Sequence, residues 1–306
     1  MHFVRIRRSR LSEDPLDETP WQYWNLAVGP GQKGAPMVSD AKSDLPCWED
    51  TMPHFSTREK GDRITAMPLN APGMLTFFAV ATFILWVPAG VGGALYCHTL
   101  SQGGKEPWLL GVGSIFYTFL PSIVTSITTD EARNFFGQRT TAKRISAIPA
   151  FTGAGVGILG AAIWVGGSSR AWLALASAGC GVVAAVATLA AWRGIRYTRD
   201  RQTWMAWMRH HGERTHGVLR EISFLEKWSD THPLFTVVVE FSTESGPRRV
   251  EANMITAKRR VPRKGTAVVV TLSPNDSRAE VHIELDYAQR PEFDPAAWKY
   301  SQPSGN

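Results

Sequence analysis

The stretch Met74–Tyr96, MLTFFAVATFILWVPAGVGGALY, contains no Asp, Glu, Lys, Arg or His. The hydrocarbon core of a bilayer is crossed by roughly 20 apolar residues at about 1.5 Å of rise each, and a helix satisfies all of its backbone hydrogen bonds internally there. This stretch is therefore read as a membrane-spanning helix. Trp108–Ile127, Ala147–Gly166 and Ala171–Trp192 have the same character. The expected fold class is an α-helical membrane protein with four transmembrane helices (74–96, 108–127, 147–166, 171–192) and a C-terminal small all-β cytoplasmic domain.

Working outward from these stretches, the remaining residues of the 306 are polar, and the mean hydropathy of -0.14 averages two unlike parts. Residues 1–72 carry Pro, Gly, Ser and Asp without a sustained period of 2 or 3.6, so they are expected to be a mostly disordered cytoplasmic segment. Trp21, Tyr23, Trp24 and Trp48 are unusual in such a segment and could form a short motif for a partner. Met1–Arg10 is basic, but an acidic run follows it in place of the apolar core of a cleavable signal. Cys47, Cys97 and Cys180 lie in separate segments with no metal or disulfide spacing and are expected to be free thiols.

Basic residues near span ends favour the cytoplasmic side. Arg58, Lys60 and Arg63 precede the first span, Arg133, Arg139, Lys143 and Arg144 lie between the second and third, and Arg193, Arg196, Arg199 and Arg201 follow the fourth. The first loop has only Lys105 and the third only Arg170. Both termini are therefore expected in the cytoplasm, with the protein in the plasma membrane. Trp108, Trp172 and Trp192 sit at span ends, where an indole suits the headgroup level. The formal net charge of +6 is met by anionic lipid headgroups beside these juxtamembrane cations, so nucleic acid is not the expected partner.

Within the spans, Pro88, Pro121 and Pro149 each remove one helical hydrogen bond. Gly153, Gly157 and Ala161 recur at four-residue spacing, with Ala174, Ala178 and Gly181 on the following span. Small residues let backbones approach closely, so these two faces are expected to meet in a tight antiparallel hairpin around Gly167–Arg170. Homo-oligomerisation through the same faces is the alternative. Gly155, Gly157 and Gly160 match a dinucleotide fingerprint by letter, but no strand precedes them and no acid follows at the required distance.

Residues 193–216 read as a juxtamembrane basic amphipathic helix, with Trp204, Trp207, Met208 and His211 on one face. His210, His211, Glu213 and His216 are better read as hydrated side chains than as a zinc site. From 217 the period becomes 2: Phe235, Val237, Val239 and Phe241 alternate with more polar residues, as do Val281, Ile283 and Leu285. About five strands are expected in a β domain over 217–287, closing as a small antiparallel barrel or sandwich. Residues 288–306 are expected to be a flexible tail.

Gly217-Val218, the strand Phe235–Phe241, Gly246, Gly265 before Val268–Val270, and Ser273-Pro274-Asn275-Asp276 resemble the DUF3592-type domain of bacterial membrane proteins. Leu272-Ser273-Pro274 departs from the aromatic that often precedes the closing acid and proline there. The resemblance covers less than a third of the chain and implies a membrane-attached β module with no established chemistry.

No nucleophile–base set, phosphate loop or metal spacing stands out, so the expected function is non-enzymatic: a cytoplasmic β domain that binds or positions an unidentified protein partner, with no cofactor. Arg193, Arg196, Trp204, Trp207 and the basic run Lys258, Arg259, Arg260, Arg263, Lys264 are the expected contacts to lipid or that partner. The same run could instead serve an oligonucleotide-binding barrel. The alternative function is a subunit of an oligomeric transporter or channel, with Ser114, Thr118, Ser122 and Thr125 along one face of the second span.

Overall fold

The computed structural model describes residues 53–67, 73–103, 108–165, 167–273 and 280–302. Four long helices follow one another: α1 (Leu75–Ser101), α2 (Trp108–Phe136), α3 (Arg139–Val165) and α4 (Gly167–His211). Among the described residues, α1, α3 and α4 are long and apolar enough to cross a membrane. Phe77, Ile163, Trp164, Val186 and Leu189 point outward and are more than half exposed. Pro88, Pro121 and Pro149 are taken up inside continuous helices.

The expected hairpin of α3 and α4 is present, the two helices packing closely side by side, but the small-residue faces do not meet across it. A Cβ on Gly153 would lie 2.4 Å from the carbonyl oxygen of Phe83, and one on Gly157 would lie 2.1 Å from that of Val87, so this stripe faces α1. Gly155 is the residue turned toward α4, where Ser177 donates to its carbonyl at 2.8 Å. Two residues are about 200° apart around a helix, so neighbours in the same glycine run serve opposite partners. Ala174, Ala178 and Gly181 are exposed, and α4 buries Leu173 and Ala184 instead. Polar bridges add to this packing. Thr82 and Thr128 share a hydrogen bond of 2.8 Å, Trp86 donates to Thr125 at 2.9 Å, and Thr129 donates to Ser146 at 2.7 Å.

The β domain is a six-stranded antiparallel sheet in the order β1 (His54–Ser56), β4 (Gly246–Ile255), β3 (His232–Thr243), β2 (Glu213–Ser229), β5 (Ala267–Leu272), β6 (Val281–Leu285). The two ends of this order, β1 and β6, approach each other, so the sheet is a nearly closed barrel. β2 carries the curvature: its first part pairs with β5, its later part with β3, and its register shifts at Leu219/Glu221 and Phe224/Trp228. The alternation predicted for β3 is present, with Phe235, Val237, Val239 and Phe241 inside beside Leu219, Met254, Val268 and Val270.

Several expected boundaries move. Residues 53–67, assigned to a mostly disordered segment, are ordered, and His54–Ser56 among them joins the barrel: Phe55 pairs with Met254 and is 8% exposed. The juxtamembrane helix is not separate, since α4 continues without a break to His211, and the β domain begins at Glu213 rather than 217. His216 therefore lies in a strand. The segment 288–302, expected to be a flexible tail, packs on the barrel instead. Tyr300 contacts Phe224 and Phe235 with ring centroids 5.4 and 5.2 Å away, donates to Asp294 at 2.7 Å, and accepts from the Trp228 indole through its carbonyl at 2.9 Å. Aromatic contacts and paired polar groups outweigh the chain entropy of a short polar segment here.

Three arginines lock the barrel to the helices. Arg139, at the start of α3, donates to the Ser229 carbonyl at 2.5 Å and pairs with Asp230 at 2.7 Å. Arg201 pairs with Glu280 at 2.5 Å, and Arg209 pairs with Glu284, which also meets His282 at 2.8 Å. Each arginine side chain is 7% exposed. Burial pushes the Asp230 carboxyl up, but Arg139 and Lys143 hold it below its ordinary value.

Candidate functional site

The loop after β1 is built to hold a fixed shape. Ser56 Oγ accepts from the backbone N–H groups of Arg58 and Glu59 at 3.3 and 2.8 Å. The Glu59 carboxylate then accepts from the Thr65 N–H at 2.6 Å and from the Thr65 hydroxyl at 2.8 Å, closing the loop. Gln138 donates to the Arg63 carbonyl at 2.7 Å and Thr140 to that of Asp62 at 2.9 Å, which clamps the loop onto the α2–α3 turn.

That turn depends on Gly137, at φ +70°, where a Cβ would stand 1.9 Å from the Ala66 carbonyl oxygen. The Ala66 N–H donates to the Gly137 carbonyl at 2.8 Å, and Gln202 of α4 donates to the carbonyls of Phe136 and Ala66 at 3.0 and 3.3 Å. Loop, turn and α4 are thus one hydrogen-bonded unit.

Between them lies a cleft of about 600 Å³. Its cations are Arg58, Lys60 and Arg63 from the loop, Arg144 from α3 and Arg193 from α4; Glu59 is its one carboxylate, and Gln138, Thr140, Gly194 and Tyr197 complete the wall. Arg144 donates to the Ala190 carbonyl at 3.3 Å. Among the described residues, Arg58, Lys60, Arg63, Arg144 and Arg193 form no ion pair. Such a cleft can bind an anion, because guanidinium forks match the geometry of phosphate or carboxylate oxygens.

The residues expected to contact lipid or a partner are dispersed. Arg193 lines the cleft, and Arg196 lies over the Trp192 ring at 5.2 Å. Trp204 is taken into the interface with the barrel, where Arg201 sits 4.0 Å above its ring and His282 meets it edge-on at 6.3 Å. Trp207 stacks on His211 at 5.3 Å. Lys258, Arg259, Arg260, Arg263 and Lys264 are exposed on the barrel, with Arg260 over the Phe293 ring and Arg263 paired with Glu292.

In α2, Ser122 donates to the Thr118 carbonyl and Thr125 to that of Pro121, each at 2.7 Å. The side chain of Ser114 lies outside the described residues. His210 and His211 end α4 while Glu213 and His216 lie on β2; no group of three or more potential metal ligands converges among the described residues.

In the sequence, Arg58, Lys60, Arg63 and Arg144 stand out only as markers of orientation. Their convergence depends on β1 joining the barrel, which no local periodicity signals. No protein-family model, curated protein or solved structure matches the chain.

Proposed function

We propose that this is a multi-pass plasma-membrane protein, with α2 as a fourth span and both termini cytoplasmic, that holds its β barrel in a fixed attitude at the membrane surface to position a protein partner. The role is non-enzymatic. The observation that carries this reading is the set of buried arginine–carboxylate contacts from α3 and α4 to the barrel. A module on a loose tether would need no such pairs, of which Arg209–Glu284 is largely desolvated on both sides; a pair of that kind is costly to form and matters most where a single geometry must be selected. The barrel surface and its exposed basic run are then offered at a set distance from the headgroups.

The test is affinity capture of the intact protein in mild detergent, compared with the double variant Glu280→Gln/Glu284→Gln. A partner retained by the native protein and lost or reduced at least several-fold by the variant supports positioning. Equal retention by both, or turnover of a substrate by the purified protein, overturns the reading.

A further inference from the structure

We propose that the cleft walled by the 57–66 loop, α3 and α4 is a binding site for a phosphate group, carried either by an anionic lipid headgroup or by a soluble phosphorylated ligand. This stands independently of the barrel's partner.

The cleft cations differ from the arginines that join helices to barrel. Where Arg139, Arg201 and Arg209 are buried, each meets a carboxylate. In the cleft, five cations from three elements converge and meet none. The one acid present, Glu59, already accepts from the Thr65 N–H on one oxygen and from the Thr65 hydroxyl on the other. It helps to shape the loop and leaves most of the positive charge uncompensated. Holding like charges together in one cleft is unfavourable even where the side chains reach solvent, and a multiply charged anion relieves that repulsion.

The cleft is also preorganised. The loop is held by hydrogen bonds from Gln138, Thr140 and Thr65, so Arg58, Lys60 and Arg63 need little backbone ordering on binding. The volume of about 600 Å³ suits a headgroup or small phosphorylated molecule and is too small for a macromolecular surface. The cleft also sits beside apolar stretches. Arg193 directly follows Trp192, at the end of an apolar stretch, and Arg144 shortly precedes the start of another at Ala147. The cleft therefore lies at the level where lipid phosphates are found.

The experiment uses the full chain in a nonionic detergent. Thermal-shift titrations are run with inorganic pyrophosphate, short-chain phosphatidic acid and, as the zwitterionic control, short-chain phosphatidylcholine. Arg63→Gln/Arg193→Gln removes two cleft cations; Lys258→Gln/Lys264→Gln removes the same charge from the barrel surface. Arg58→Gln/Lys60→Gln is a second cleft variant, altering exposed side chains whose loss leaves the loop hydrogen bonds in place.

Saturable binding of phosphatidic acid or pyrophosphate is expected, weakened about tenfold or more in both cleft variants and unchanged in the barrel variant. Preference for phosphatidic acid over pyrophosphate assigns a lipid headgroup; equal or tighter binding of pyrophosphate assigns a soluble ligand. The proposal is overturned if neither phosphate probe saturates, if phosphatidylcholine binds as well as phosphatidic acid, or if the barrel variant loses as much affinity as the cleft variants.

Discussion

Arg209 of α4 and Glu284 of β6 form an ion pair with side chains only 7% and 15% exposed, and eight residues earlier on the helix Arg201 meets Glu280 in the same way. Eight residues of helix advance about 12 Å, and the four residues from Glu280 to Glu284 advance about 13 Å when extended. Helix and strand thus offer cations and carboxylates at matching intervals. The barrel is therefore held at two points, which opposes sliding as well as separation.

Breaking one of these pairs on one side only leaves a buried carboxylate without its cation. Arg209→Ala is expected to destabilise the full protein by about 3 kcal/mol, whereas Arg209→Met/Glu284→Leu recovers most of that loss by removing both charges. Denaturant unfolding in detergent, followed by tryptophan fluorescence, compares the two.

The same pair makes the docking sensitive to acid. Burial pushes the Glu284 carboxyl up, but the hydrogen bond and charge of His282 and the charge of Arg209 outweigh it and hold it at about 2, against an ordinary 4.5. A carboxylate lowered by folding contributes stability that is complete above its unfolded value and is lost as pH falls through the folded one. Limited proteolysis at the α4–β2 junction should therefore accelerate between pH 4.5 and about 2. Glu284→Gln should already be accelerated at neutral pH and should show a smaller change across that window.

The side of α3 that packs most tightly can be read by adding a methyl group. Gly157→Ala is expected to lower the melting temperature, because the new Cβ would meet the Val87 carbonyl at 2.1 Å and separate α1 from α3. Gly181→Ala, where no atom lies within 4 Å, should leave it unchanged or raise it slightly through better helix propensity. Equal sensitivity at both positions would contradict the α1–α3 contact.

Tyr300 seals the barrel through its ring and through its hydroxyl. Tyr300→Phe keeps the contacts with Phe224 and Phe235 and loses the hydrogen bond to Asp294, for an expected cost of about 1 kcal/mol. Tyr300→Ala loses the ring contacts too and should cost about 2 kcal/mol or more, the ring being only partly buried. Thermal unfolding monitored by near-ultraviolet circular dichroism separates the two.

Local periodicity carried much of the architecture in readable form. An uncharged run such as Met74–Tyr96 has only one economical way to satisfy its backbone in hydrocarbon, and the alternation Phe235–Phe241 has one buried face whatever surrounds it. The end of α4 shows where such reading stops. An amphipathic face with Trp204 and Trp207 records that something covers it, but lipid and a folded barrel impose the same period. Nothing near Arg201 or Arg209 in the chain marks either as an ion-pair partner, because their carboxylates lie some 75 to 79 residues further along.

The sequence by itself determined the apolar helices, the extended character of the C-terminal region and the clustering of basic residues beside the apolar stretches, because each follows from the composition or period of neighbouring residues. Only the tertiary structure decided that His54–Ser56 joins the barrel, that the glycine stripe of α3 faces α1, and that cations from the 57–66 loop, α3 and α4 share one cleft. These depend on pairings between distant segments, where closure entropy is offset only by the assembled contacts, and no short stretch of chain carries that balance within itself.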